Sequence, residues 1–155
     1  MGLETIINKH LKYTYDNGWR YEFWLKSEKR IVYEIHGGPM AGRYNYQTSW
    51  VQEIRADEIY QISWVEETGT VVSINVDLPN KRIFTFMTFS QGHWEKAEEA
   101  HGDKRNPSDF DRWRGLAKIG GPKERHTIME QATLEVIEDG RPDYMGDIED
   151  DAETL

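Results

Sequence analysis

Tyr13, Tyr15, Trp19 and Tyr21 recur at every second position on either side of Asp16-Asn17-Gly18, and this alternation constrains the chain more than any other stretch. Two short runs around such a break read as a β-hairpin, and the loop length decides which side chains share a face. A two-residue Asn17-Gly18 loop pairs Tyr15 with Arg20 and sends Trp19 and Tyr21 to the opposite side. A three-residue loop, with Gly18 in the left-handed position of a G1 bulge, pairs Tyr15 with Trp19 and Tyr13 with Tyr21. The second register gives one aromatic face and one polar face of Thr14, Arg20 and Glu22, and it is the one expected here. An ordinary core with tyrosines at its rim is the plainer account of that face. Phenol hydroxyls need partners when buried, however, and two side by side point toward a polar ligand.

The pattern continues along residues 31–36, 43–46, 50–55, 58–66, 71–76 and 82–89, short runs separated by Gly, Pro and Asn turns. Such spacing predicts an antiparallel sheet closed into a barrel. The periodicity then changes. Trp94 to His101 holds helix formers and no β-branched residue, and Asn106-Pro107 caps a second helix that runs to about Lys118. Gly120-Gly121-Pro122 stops it, and a last strand covers residues 127–138. The expectation is a mostly β chain of eight or nine strands, with a short helical insertion before the last. An eight-stranded barrel is just wide enough for one small ligand.

Composition narrows the chemistry. With 155 residues and no cysteine, the chain reads as one domain without disulfides, thiolate metal sites or thiol nucleophiles. The first twenty residues lack an apolar run, so no signal peptide or membrane span is expected and a cytoplasmic protein is the default. The net charge of −9 is unevenly placed, because residues 139–155 carry seven acids against one arginine. Residues 1–138 are expected to form the barrel and 139–155 a disordered acidic tail. Without a basic stripe, neither nucleic acid nor a membrane is an expected partner.

Glu66 lies in phase with Tyr60, Ile62 and Trp64, so alternation aims it inward; a carboxyl against apolar walls can keep its proton and serve as a general acid. Its other reading is a strand-end residue in water beside Glu67. Arg43 follows a glycine-rich bend with no acid adjacent in sequence, and its planar fork suits a substrate carboxylate, a pairing with Glu66, or both. Glu130 is in phase with Ile128, Ala132 and Leu134 and is either an inward carboxylate or a rim residue. The five histidines show no metal-ligand spacing and read as surface or satisfied core residues. Neither a phosphate loop nor a Gly-x-Ser-x-Gly elbow is present.

Three blocks carry a resemblance: Tyr13 to Trp19, Ile35-His-Gly-Gly-Pro-Met-Ala-Gly-Arg43, and Trp64-Val-Glu-Glu-Thr-Gly-Thr70. Together they resemble the phenolic acid decarboxylases, with Gly92-His93-Trp94-Glu95 and residues 103–107 closer to fungal members. The proline that follows the glutamate in that family is Glu67 here. The resemblance implies a lipocalin-like barrel, a homodimer, no cofactor, and decarboxylation of p-coumaric, ferulic and caffeic acids. Tyr13, Tyr15, Arg43 and Glu66 would then be catalytic. Asn17, Trp19, Tyr21, Ile35, Trp64 and, most loosely, Glu130 would bind substrate. A lipocalin-like carrier of small aromatic acids would use the same inward groups without turnover.

Overall fold

The computed structural model of the protein describes residues 2–155. Asp16-Asn17-Gly18 forms a three-residue loop between β1 (Lys9–Tyr15) and β2 (Arg20–Ser27). Tyr15 N donates to Trp19 O at 2.8 Å, Tyr13 pairs with Tyr21, and Gly18 has φ +96°, as the G1 bulge requires. A second irregularity, between Lys12 and Tyr13, shifts the register of β1 against the last strand.

The sheet continues through β3 (Arg30–Ile35), β4 (Arg43–Thr48), β5 (Trp50–Arg55), β6 (Ile59–Val65), β7 (Val71–Asp77) and β8 (Arg82–Ser90). Alternate residues of β6, β7 and β8 face inward: Tyr60, Ile62 and Trp64, then Val72, Ile74 and Val76, then Ile83, Thr85 and Met87. After β8 come α1 (Gln91–Glu95), a 3-10 turn (Ala97–Ala100), β9 (Gly102–Asp103) and α2 (Pro107–Leu116), before β10 (Arg125–Asp139). Ser90 caps α1 and Asn106 caps α2, whose Phe110, Trp113 and Leu116 are buried. The first helix therefore starts three residues before the Trp94 expected from composition, because Ser90 supplies the cap. No helix among the described residues is long and apolar enough to cross a membrane.

Strand order is β5-β6-β7-β8-β10-β1-β2-β3-β4-β9, so the closed barrel is corrected to a curled sheet with β5 and β9 at its edges. The reason is local. Gly102 N donates to Gly42 O and Lys104 N to Tyr44 O, both at 3.1 Å, so the insertion occupies the free edge of β4. β4 and the end of β6 meet through side chains instead, at Arg43, Glu66 and Glu67.

Residues 139–155 also depart from expectation. Asp139 ends β10, and the chain beyond it lies along the outer face of β2, β3 and β4. Met145 is fully buried among Trp24, Val32, Tyr44 and Tyr46. Buried Arg30 donates to the carbonyls of Glu149, Asp150 and Ala152 at 2.9–3.1 Å. The tail has few apolar side chains but offers main-chain acceptors to a buried cation, a signal that composition does not carry. Tyr144 OH donates to buried Glu22 at 2.6 Å, and Glu22 also bonds His10 at 2.8 Å and His36.

Candidate active site

Inside the curl, Tyr13, Tyr15 and Tyr21 meet edge to face or tilted, with ring centroids 5.2–6.1 Å apart. Their shared face follows from the hairpin register. Tyr15 OH lies 2.9 Å from Thr85 Oγ1. Burial pushes all three hydroxyls, and that of Tyr33, above the ordinary phenol range, so each remains a neutral donor.

Across the slot, the chain leaves β6 in a turn that brings Glu66 inward. Glu66 N donates to Thr70 O at 2.8 Å, and Gly69 completes the turn at φ +87°. Glu66 Oε2 accepts from Tyr33 OH at 2.5 Å and Trp64 Nε1 at 3.0 Å, while Arg43 Nη2 lies 3.3 Å from Oε1. Arg43 is held on three sides. Nη1 donates to Ala100 O at 3.0 Å, Nη2 to Glu67 at 2.5 Å, and the guanidinium sits 4.1 Å over the Trp113 ring. The helical insertion thus closes the slot behind Arg43.

Ile35, Met40, Val72, Met87 and Phe89 complete the walls. The free cavity among them is only about 20 Å³, closer to one water than to an aromatic ring. A much larger depression of about 680 Å³, lined by Phe84, Phe86 and Met129, is open to solvent. The chemistry belongs to the narrow slot, because the buried acid, the arginine and the phenols converge there.

Tyr13, Tyr15, Tyr21, Ile35, Arg43, Trp64 and Glu66 are therefore brought together as expected from sequence. Trp19 shares their face but packs at the rim, so close to Gly38 that a Cβ there would lie 2.6 Å from its ring. Asn17 is exposed, and its side chain accepts from Trp19 N at 3.0 Å; it shapes the loop and does not reach the slot. Glu130, half-buried opposite Thr85 in the ladder, lines the open depression and not the slot.

Sequence reasoning missed His93, which lines the slot from α1. Its Nδ1 lies 2.6 Å from Thr70 Oγ1 and 2.9 Å from Thr68 Oγ1, and Thr70 Oγ1 also accepts from Ser90 N. The other ring nitrogen, Nε2, is buried and has no hydrogen-bond partner among the described residues. Burial and the nearby Arg43 charge hold the ring well below its ordinary pKa, hence neutral. It missed Glu67 and Lys104 as well. Both are buried and paired at 2.6 Å, across 37 residues of sequence that carry no periodic sign of the contact.

A family model described as phenolic acid decarboxylase matches residues 3–151. "Phenolic acid decarboxylase PadC" of Bacillus subtilis (strain 168) is 42% identical over 81 residues, 52% of this chain and 49% of that protein. A Vibrio cholerae protein described as "Probable phenolic acid decarboxylase" is 39% identical over 77 residues, 49% of this chain and 44% of its own length. The matched part spans about half the length of these curated relatives. A solved structure from Burkholderia vietnamiensis, provisionally described as a β-lactamase, superposes with a TM-score of 0.56 at 17% identity, covering 84% of this chain and 93% of that one. At that identity the likeness is one of fold.

Proposed function

The chain belongs to the phenolic acid decarboxylase family, and on that premise we propose that it converts p-hydroxycinnamic acids (p-coumaric, ferulic and caffeic) to 4-vinylphenols and carbon dioxide. The observation that carries this reading is the convergence of Glu66, Arg43 and four phenols (Tyr13, Tyr15, Tyr21 and Tyr33) on one buried slot with apolar walls.

Direct loss of carbon dioxide from an acrylate would leave a vinyl carbanion with nothing to stabilise it. A proton placed on the carbon bearing the carboxylate, while the para hydroxyl passes its own to solvent, produces a quinone methide. When the carbon–carbon bond breaks, its electron pair forms the vinyl double bond and the ring returns to an aromatic phenolate. After cleavage the phenolate and the proton donor each regain a proton from solvent. The substrate is its own electron sink, so this route requires no metal or organic cofactor.

In this reading Glu66 donates the proton to carbon. Tyr13, Tyr15 and Arg43 hold the carboxylate until it leaves as neutral carbon dioxide. Phenols kept neutral by burial suit that task, since each presents a proton to an anion. Ile35, Trp64 and Tyr21 confine the ring, and unbranched Met40 and Met87 shift to admit it. Positioned acid–base groups of this kind contribute about 10²–10⁴-fold each.

The test is the ultraviolet absorbance of p-coumarate mixed with the protein alone. Loss of the cinnamate band with 4-vinylphenol formation is expected; binding without change would replace the enzyme by a carrier, and no binding would refute both. We also propose a homodimer. Trp50, Phe86 and Met129 lie on one outward face, linked across strands through Ser63 and Ser73, and Trp50 and Met129 are 66% and 77% exposed. Such a row suits a second copy of the chain. Sedimentation of Phe86→Lys at lower mass than wild type is expected; a monomeric wild-type protein would exclude the dimer.

A further inference from the structure

Behind Arg43 lie two ions that do not line the slot. Glu67 and Lys104 are 4% and 1% exposed. Removing an ion from water costs several kcal/mol unless its partners are well placed, and here they are. Lys104 Nζ donates to Glu67 Oε1 at 2.6 Å, to Thr154 O at 2.8 Å and to Tyr46 O at 2.9 Å. Asn45 and Gln47 donate to the same Glu67 carboxylate at 3.1–3.3 Å. β9 carries Lys104 to this point by pairing with β4.

The consequence falls on Arg43. Its Nη2 is divided between two carboxylates, 2.5 Å from Glu67 and 3.3 Å from Glu66. A carboxylate fully engaged by a guanidinium is a poor proton donor, whereas one only partly engaged can take and release a proton. We propose that Glu67 and Lys104 are positioning residues: Glu67 takes the larger share of Arg43, Lys104 fixes Glu67, and Glu66 is thereby left able to exchange a proton with a bound substrate. The catalytic consequence rests on the decarboxylase reading above; the effect on Glu66 does not.

The test replaces both ions by neutral groups of similar shape, Glu67→Gln with Lys104→Met, which avoids leaving either charge buried alone. Trp64 Nε1–H donates to Glu66 and reports its titration by nuclear magnetic resonance, with Trp64→Phe assigning the signal. The charged and titratable groups facing Glu66 are Arg43, Glu67, Lys104, His93, Tyr33 and Tyr21, Lys104 being the most weakly felt. With Glu67 neutral, Arg43 turns to Glu66, and the Trp64 titration midpoint is expected to fall by at least about one pH unit, a tenfold change in proton affinity. Turnover of p-coumarate is expected to fall about tenfold or more, with KM changed less than about threefold, because the Arg43 charge stays in the slot.

A folded double variant whose midpoint stays where wild type has it overturns the proposal, whatever its turnover. A shifted midpoint in a protein that never converts p-coumarate sustains the positioning role and rejects the decarboxylase. Should the double variant not fold, Glu67→Asp, which withdraws the carboxylate from Arg43 but keeps both charges, is measured in the same way. Its midpoint must fall too, and an unchanged one overturns the proposal equally.

Discussion

Glutamine at position 66 keeps the shape of the side chain and exchanges one oxygen for an amide nitrogen. In the native site Oε2 accepts from Tyr33 and Trp64 while Oε1 faces Arg43. With its oxygen toward Tyr33 and Trp64, the amide sets NH₂ against Arg43 Nη2. In the flipped orientation it would oppose two donors. The first arrangement is the less costly and leaves one donor–donor contact, worth about 1–3 kcal/mol. Arg43 retains Glu67 and Ala100 O in either case. For a chain of this size the cost corresponds to a drop in Tm of about 2–12 °C, readable by calorimetry, in a protein that still folds. Turnover of p-coumarate is expected to fall about 10²–10⁴-fold, the range for loss of a positioned proton donor. Binding of 3-(4-hydroxyphenyl)propanoate, a saturated analogue that cannot form the quinone methide, should persist in titration calorimetry. Glu66→Gln with wild-type turnover would refute Glu66 as the acid, and loss of analogue binding would assign it to substrate affinity instead.

Cinnamate, which lacks the para hydroxyl, is expected to bind without reacting; rapid release of carbon dioxide from it would exclude the quinone methide. Burial opposes ionisation of Glu22, but hydrogen bonds from His10, Tyr144 and His36 hold its carboxyl down at about 2. A folded pKa below the unfolded value of about 4.3 means stability that is complete above that value and is lost as pH falls toward 2. Melting curves across that window should therefore be flatter for Glu22→Gln than for wild type, and an equal slope would deny Glu22 its part. Met145→Ala removes a fully buried side chain from the outer-face cluster and is expected to cost about 2–5 kcal/mol in urea unfolding. A change near zero would mean that the C-terminal segment does not stay packed in solution.

The hairpin was legible because its information is local: period-two aromatics state the face, and Gly18 states the loop length. Glu66 and Arg43 could be nominated for similar reasons, one by phase with Trp64 and the other by its glycine-rich bend. Closure of the barrel was not legible. Two residues, Gly102 and Asp103, decide it by capping the edge of β4, and so short a strand has no periodicity. The buried ions were equally hidden, since Lys104 sits in a polar run between helices that reads as surface. In sequence His93 reads, with the other histidines, as a surface or satisfied core residue, and only Thr68 and Thr70, met across the fold at 2.9 and 2.6 Å, place it in the slot wall. The acidic tail misled because side-chain composition is blind to what its carbonyls can accept.

β10 lies between β8 and β1 and hydrogen-bonds to both, so it is the only strand among the described residues that joins the first four strands to the four that follow. During synthesis, β1–β4 and β5–β8 can each form as meanders of neighbours, with contacts close in sequence. Their union waits for residues 125–139, whose pairing with β1 spans more than a hundred positions. Long-range pairing of that kind is slow and exposes unpaired edges in the meantime. Tyr13 and Tyr15 are thus synthesised more than a hundred residues before their β10 neighbours Leu134 and Ala132. A nascent or truncated chain lacking that strand holds every group of the slot and yet no slot, and its open β1 and β8 edges make it the species most exposed to aggregation.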